Sequence, residues 1–138
     1  MPQPAWRQLG EYLHETQILG SIHSTLYWDQ NTAMPALGAP WRAQQLSLLA
    51  KCLHARQSSQ VFEGLIQEAK IEFAEGCKSG DVEEEEILER ARNLELLEQE
   101  FNRQKRLDPK LISELATAKA NGYSLWQQAR ANNDFNSF

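Results

Sequence analysis

Trp28-Asp29-Gln30-Asn31-Thr32-Ala33-Met34-Pro35 is the stretch that decides how this chain folds. The residues before it place apolar side chains at helical spacing, and so do the residues after it. Met34-Pro35 separates the two patterns. Proline lacks the N–H that a helix ladder needs and pushes its predecessor out of the helical region. Gly38-Ala39-Pro40 reopens the chain, with Pro40 suited to a first helical turn, where its missing N–H costs little. The stretch therefore reads as the corner of a helical hairpin.

Working outward, the N-terminal side predicts a helix from about Ala5 to Tyr27. Leu9, Leu13, Leu19, Ile22 and Leu26 form its apolar stripe, widened by Trp6 and Tyr12. The C-terminal side carries a narrower, alanine-rich stripe: Ala39, Ala43, Leu46, Leu49, Ala50 and Leu53, suited to close helix contact. It decays through His54 to Ser59, and the serines there are placed to cap a third helix. That helix is expected over about Gln60–Glu75, on Phe62, Leu65, Ile66, Ala69 and Phe73, with Gly76 as its stop.

A fourth helix is expected to start with Asp81 as N-cap and Glu84 three residues on. Glu83–Glu86 favour its positive end, and Arg103, Lys105 and Arg106 its negative end. Ile87, Ala91, Leu94, Leu97 and Phe101 supply its buried stripe. Asp108-Pro109 opens a fifth helix, carried by Leu111, Ile112, Leu115, Ala118, Leu125 and Ala129. Asn121-Gly122 is a place for that helix to bend or break. No stretch alternates apolar and polar residues as a strand would. The expected fold is all-α: about five helices in antiparallel hairpins, bundle-like, forming a single helical domain over residues 1–138.

Composition agrees. The chain has 138 residues, one domain's worth, and 41% of them are hydrophobic, enough for a modest core. A formal net charge of −5, with no basic cluster, argues against nucleic acid. No apolar run approaches the ~20 residues that span a bilayer, and Met1 to Arg7 does not read as a secretory signal. Cys52 and Cys77 have neither disulfide-framework nor zinc-ribbon spacing, so a reducing, cytoplasmic setting is expected.

Two separated motifs carry a resemblance. The first is Trp28-Asp29-Gln30, Met34-Pro35, Gly38-Ala39 and Arg42-Ala43. The second is Trp126, Ala129-Arg130, Asn133-Asp134-Phe135 and Phe138. In this order they resemble the N-terminal part of the carboxypeptidase Taq family of thermostable zinc metallocarboxypeptidases, with Leu53-His54 fitting between them. The resemblance covers nearly the whole chain but only the first part of a family member. It implies a helical fold and, in full-length relatives, zinc-dependent removal of C-terminal residues from peptides. It also implies that the zinc motif lies downstream of this region.

The residues give the same answer about the metal. A gluzincin site needs two histidines at i and i+4, which project to one helix face, and a glutamate after the first. His14-Glu15-Thr16-Gln17-Ile18 starts that pattern, but Ile18 has no lone pair to give. The other histidines, His23 and His54, are read as ordinary helix residues. Glu83–Glu86 fan around their helix and are read as a solvated helix start. No catalytic or metal-ligating residue is therefore assigned, and no cofactor is expected in this chain.

The family-motif positions Trp28, Asp29, Gln30, Met34, Pro35, Arg42, Trp126, Arg130, Asp134 and Phe135 are expected to be structural. Asp29 has two readings: lining a substrate groove, or satisfying the corner's free N–H groups or an arginine such as Arg42. The second is preferred, because a helix end creates orphan donors. Trp28, Trp41 and Trp126 are expected to pack between helices, and Arg130 to pair with Asp134. The chain is thus read as a helical scaffold or lid, truncated relative to a full peptidase and inactive alone. The alternative is a stand-alone interaction module that self-associates or packs on a separate partner, prompted by Phe135 and Phe138. The partners expected are a second copy or a missing catalytic half, with peptide substrate only in a full-length context and neither nucleic acid nor membrane.

Overall fold

A computed structural model describes residues 4–81, 83–134 and 136. They form five α-helices: α1 Ala5–Thr32, α2 Ala39–Gln57, α3 Gln60–Ser79, α4 Glu84–Lys105 and α5 Pro109–Asn132. A 3-10 turn, Ala36–Gly38, precedes α2. The fold is all-α, and the described residues contain no strand. No described helix is long and apolar enough to cross a membrane.

Several ends follow the local chemistry. Ser59 caps α3 by accepting from the Phe62 N–H at 3.0 Å. Asp108 caps α5 by accepting from the Lys110 N–H at 2.7 Å, with Pro109 at the first helical position. Other ends differ from the sequence reading. Helix α1 runs past Tyr27 to Thr32, because the Asn31 and Thr32 side chains bond back to the Tyr27 and Trp28 carbonyls and only Pro35 stops the ladder. Helix α3 continues past Gly76 to Ser79. Gly80, at φ +76°, makes the left-handed exit instead.

Asp81 is not the cap of α4. Its N–H donates to the Gly76 carbonyl and its carboxylate accepts from Ser79, so it completes the end of α3. Glu83 precedes α4 without a capping side chain. Asn121-Gly122 does not interrupt the helix, and α5 is continuous through it.

The chain divides into two compact units. The first comprises Met1–Gln17 and Ala55–Leu107, the second Ile18–His54 and Asp108–Phe138. In the first unit Leu9, Phe62, Ile66, Ala69, Leu94 and Phe101 form a buried cluster. Tyr12 stacks on Phe62 with centroids 5.4 Å apart, and Phe62 meets Phe101 edge-on at 6.1 Å. Lys70 pairs with Glu98 at 2.8 Å and Lys105 with Glu63 at 3.1 Å. Residue numbers rise along α3 as they fall along α4, so these two helices are antiparallel. In the second unit the cluster is smaller: Ala43, Leu46 and Ala120, with Leu26 packed against it. Alanines let backbones approach, and the Ser47 hydroxyl donates to the Ser113 carbonyl at 3.1 Å.

Candidate functional site

The hairpin corner of the second unit is tied by one arginine. Arg42, in the first turn of α2, donates from Nη2 to Asp29 Oδ2 at 2.6 Å and from Nη1 to the Leu26 carbonyl. Its Nε donates to Gln45 Oε1 at 2.9 Å. Only 11% of its side chain is exposed. Arginine suits this work because its planar donors point several ways while the charge stays fixed. Asp29 therefore serves as the partner of Arg42, one of the roles its position suggested.

Gln30 lies beside this tie and is buried, at 4% exposure. Its amide Nε2 approaches the Ala120 carbonyl of α5 at 3.5 Å, while Oε1 has no protein donor. The carbonyl partner fixes which end of the amide carries the N–H groups. Met34 lies over Gly38: a Cβ at Gly38 would sit 3.3 Å from Met34 Cγ. The Gly38 N–H also donates to the Pro35 carbonyl at 2.8 Å. Met34, Pro35 and Gly38 thus form one tight turn, in which an added Cβ would press on the Met34 side chain.

The tryptophans depart from the packing role expected of them. Trp28 is 65% exposed and Trp41 66%, with Leu37 on the turn between them at 97%. The polar residues Asp29, Gln30 and Arg42 occupy the inner positions of the corner, and the rings are left outside. Trp126 is partly covered, with Tyr123 at 5.8 Å and the Arg130 guanidinium over its ring at 5.4 Å. The Asp134 carboxylate accepts from the Asn136 N–H at 3.1 Å, and Asn133 ends α5 in the left-handed region. Phe135 and Phe138 lie outside the described residues.

Among the described residues, the candidate metal donors lie apart. His14 is exposed, His23 half-buried and His54 buried. Glu15 is committed to Arg56 at 3.0 Å, and Ile18 stands where a second ligand would be needed. Among the described residues no three His, Cys, Asp or Glu side chains converge.

Residues 8–138 match the family described as carboxypeptidase Taq (M32) metallopeptidase. The chain belongs to the carboxypeptidase Taq family. It is 28% identical over 137 residues to thermostable carboxypeptidase 1 of Thermus thermophilus. That alignment takes in 99% of this chain and 25% of the relative, so the chain spans about a quarter of that carboxypeptidase's length. No solved structure matches it. Both carboxypeptidase Taq-like motifs lie within the matched residues. The exposure of Trp28 and Trp41 had no signature in the sequence, since a helix-end tryptophan reads the same whether its cover is intramolecular or not.

Proposed function

We propose that this chain is the N-terminal helical scaffold of a carboxypeptidase Taq-like enzyme, with its helices packed as a bundle that walls the substrate groove. The family reaction, zinc-dependent removal of C-terminal residues from peptides, then depends on ligands carried elsewhere. One observation carries the reading: a family match over residues 8–138 that spans a quarter of a curated relative, in a chain with no histidine pair at i and i+4. Free Cys52 and Cys77 suit a reducing, cytoplasmic setting.

The test is direct. The purified chain is assayed for zinc by atomic emission and for hydrolysis of a blocked dipeptide, with and without a chelator. The expected result is substoichiometric zinc and no chelator-sensitive cleavage. One equivalent of zinc together with cleavage abolished by chelation overturns the scaffold reading.

A further inference from the structure

The corner that carries the first family motif exposes more apolar surface than the second unit's small core explains. Trp28 and Trp41 are 65% and 66% exposed and Leu37 is 97% exposed. A tryptophan offers up to ~150–250 Å² for burial, so the two rings alone leave roughly 200–330 Å² uncovered. Adding Leu37 brings the patch to the size at which an exposed apolar surface generally marks an interaction site.

The two rings share one side of the hairpin. Within this unit His23 and Tyr27 line the same cavity, of about 260 Å³, as Leu46 and Ala50, while Asp29 meets Arg42. Residue numbers fall along α1 as they rise along α2, so the helices are antiparallel. When residues 29 and 42 of antiparallel helices face each other, stepping back one residue on each turns about 100° toward the same side. Trp28 and Trp41 are those preceding residues.

The patch is also stiff and electrically quiet. Asp29 is the single charged residue between Trp28 and Trp41, in a chain that is 24% charged, and Arg42 neutralises it. The Arg42 tie and the Met34–Gly38 turn hold the corner in place, so little ordering cost remains to be met on binding. Paired tryptophans in an uncharged, preorganised surface are the composition of the centre of a protein interface rather than of its rim.

We propose that the Trp28–Leu37–Trp41 corner is the surface through which this scaffold seats on the catalytic remainder of the peptidase, against an apolar, uncharged face of it. This rests on the functional reading above. Three quarters of the Thermus relative lie outside the match to this chain, and the neutrality of the patch suits an equally uncharged face there. A nucleic acid or a charged peptide finds no countercharge here.

The experiment replaces the matching quarter of the Thermus carboxypeptidase with this chain and compares W28S, L37S and W41S chimeras with the parent chimera. Leu88→Ser, at an 80% exposed leucine of the first unit, is the control. The same substitutions are made in the isolated chain. Expected is a parent chimera that binds zinc and cleaves a blocked dipeptide. W28S and W41S should shorten its heat-inactivation half-life by at least about tenfold. L88S should not, and the isolated chain should keep its thermal midpoint with each substitution. An active parent whose W28S and W41S forms are as durable as itself overturns the proposal and leaves the functional reading standing. A parent chimera that does not fold overturns both. Indifferent chimeras, with an isolated-chain dimer that W28S disperses, assign the corner to a second copy and overturn the proposal.

Discussion

Arg42 spends its donors on three different partners, and that makes it the most consequential single side chain of the corner. Exposed ion pairs contribute little, but this guanidinium is 11% exposed and also donates to the Leu26 carbonyl of α1. Arg42→Ala removes the tie and leaves the Leu26 carbonyl and the Asp29 carboxylate without that partner. The expected loss is about 2–3 kcal/mol, in the range for hydrogen bonds to charged groups. Arg42→Lys should recover only part of it, since one ammonium cannot span the same fork of acceptors. Urea denaturation of the two variants checks both statements. A second residue-scale expectation concerns acid. The hydrogen bond from the Lys70 ammonium holds the Glu98 carboxyl below its ordinary range, against an opposing effect of burial. A carboxyl lowered in the folded state contributes stability above its unfolded value, near 4.3. That contribution is lost as pH falls through the lowered value. Glu98→Gln should therefore lower the urea midpoint at pH 7 more than at pH 2.5, and equal losses at both would show that the ion pair is not the cause.

At the scale of the element, the ends of the helices separate what sequence can show from what it cannot. Ser59 and Asp108-Pro109 were legible because each cap is made by residues that touch only their own turn. Asp81 was not, because two neighbouring helices compete for it: the left-handed exit at Gly80 draws its N–H to Gly76 and its carboxylate to Ser79. Gly76 misled for the same reason, as Gly80 four residues on makes the better exit. The inward face of α3 was legible from its spacing, and that of α4 at Leu94, Leu97 and Phe101 but not at Ala91, which is exposed. The outward position of Trp28 and Trp41 was not legible, since spacing says nothing about what covers a ring. Two substitutions measure these local terms. Ser59→Ala should cost about 1–2 kcal/mol, combining the lost α3 cap with the Tyr12 hydroxyl contact at 3.0 Å. Gly122→Ala should raise stability by about 0.5–1 kcal/mol, because α5 is continuous there and an added Cβ meets nothing within 4 Å. A destabilised Gly122→Ala protein would mean that the helix is interrupted at Asn121-Gly122 after all.

Over the whole molecule, the two compact units hold themselves by different means. The first buries Leu9, Phe62, Ile66, Ala69, Leu94 and Phe101 together, and Ile66 is 1% exposed. At roughly 1.5–3 kcal/mol for each large apolar side chain taken out of water, this cluster is a substantial local source of stability. The second gathers Ala43, Leu46 and Ala120, two of them alanines with little surface to bury, and relies more on the Arg42 tie. Local opening free energies follow the density of buried apolar contacts. Amide hydrogen exchange in the isolated chain should therefore be slowest around Phe62–Ala69 and Leu94–Phe101. It should be faster around Ala43–Leu46 and at Ala120, although both sets lie in the middle of well-formed helices. Seating the chain in the Thermus chimera should slow exchange at Trp28 to Trp41 and at Ala43–Leu46. The amides around Ile66 should change little, because their protection comes from the first unit's own core. Equal protection in both units of the isolated chain would mean that the second unit is already complete, which would remove the physical reason for its exposed tryptophans to seek a partner.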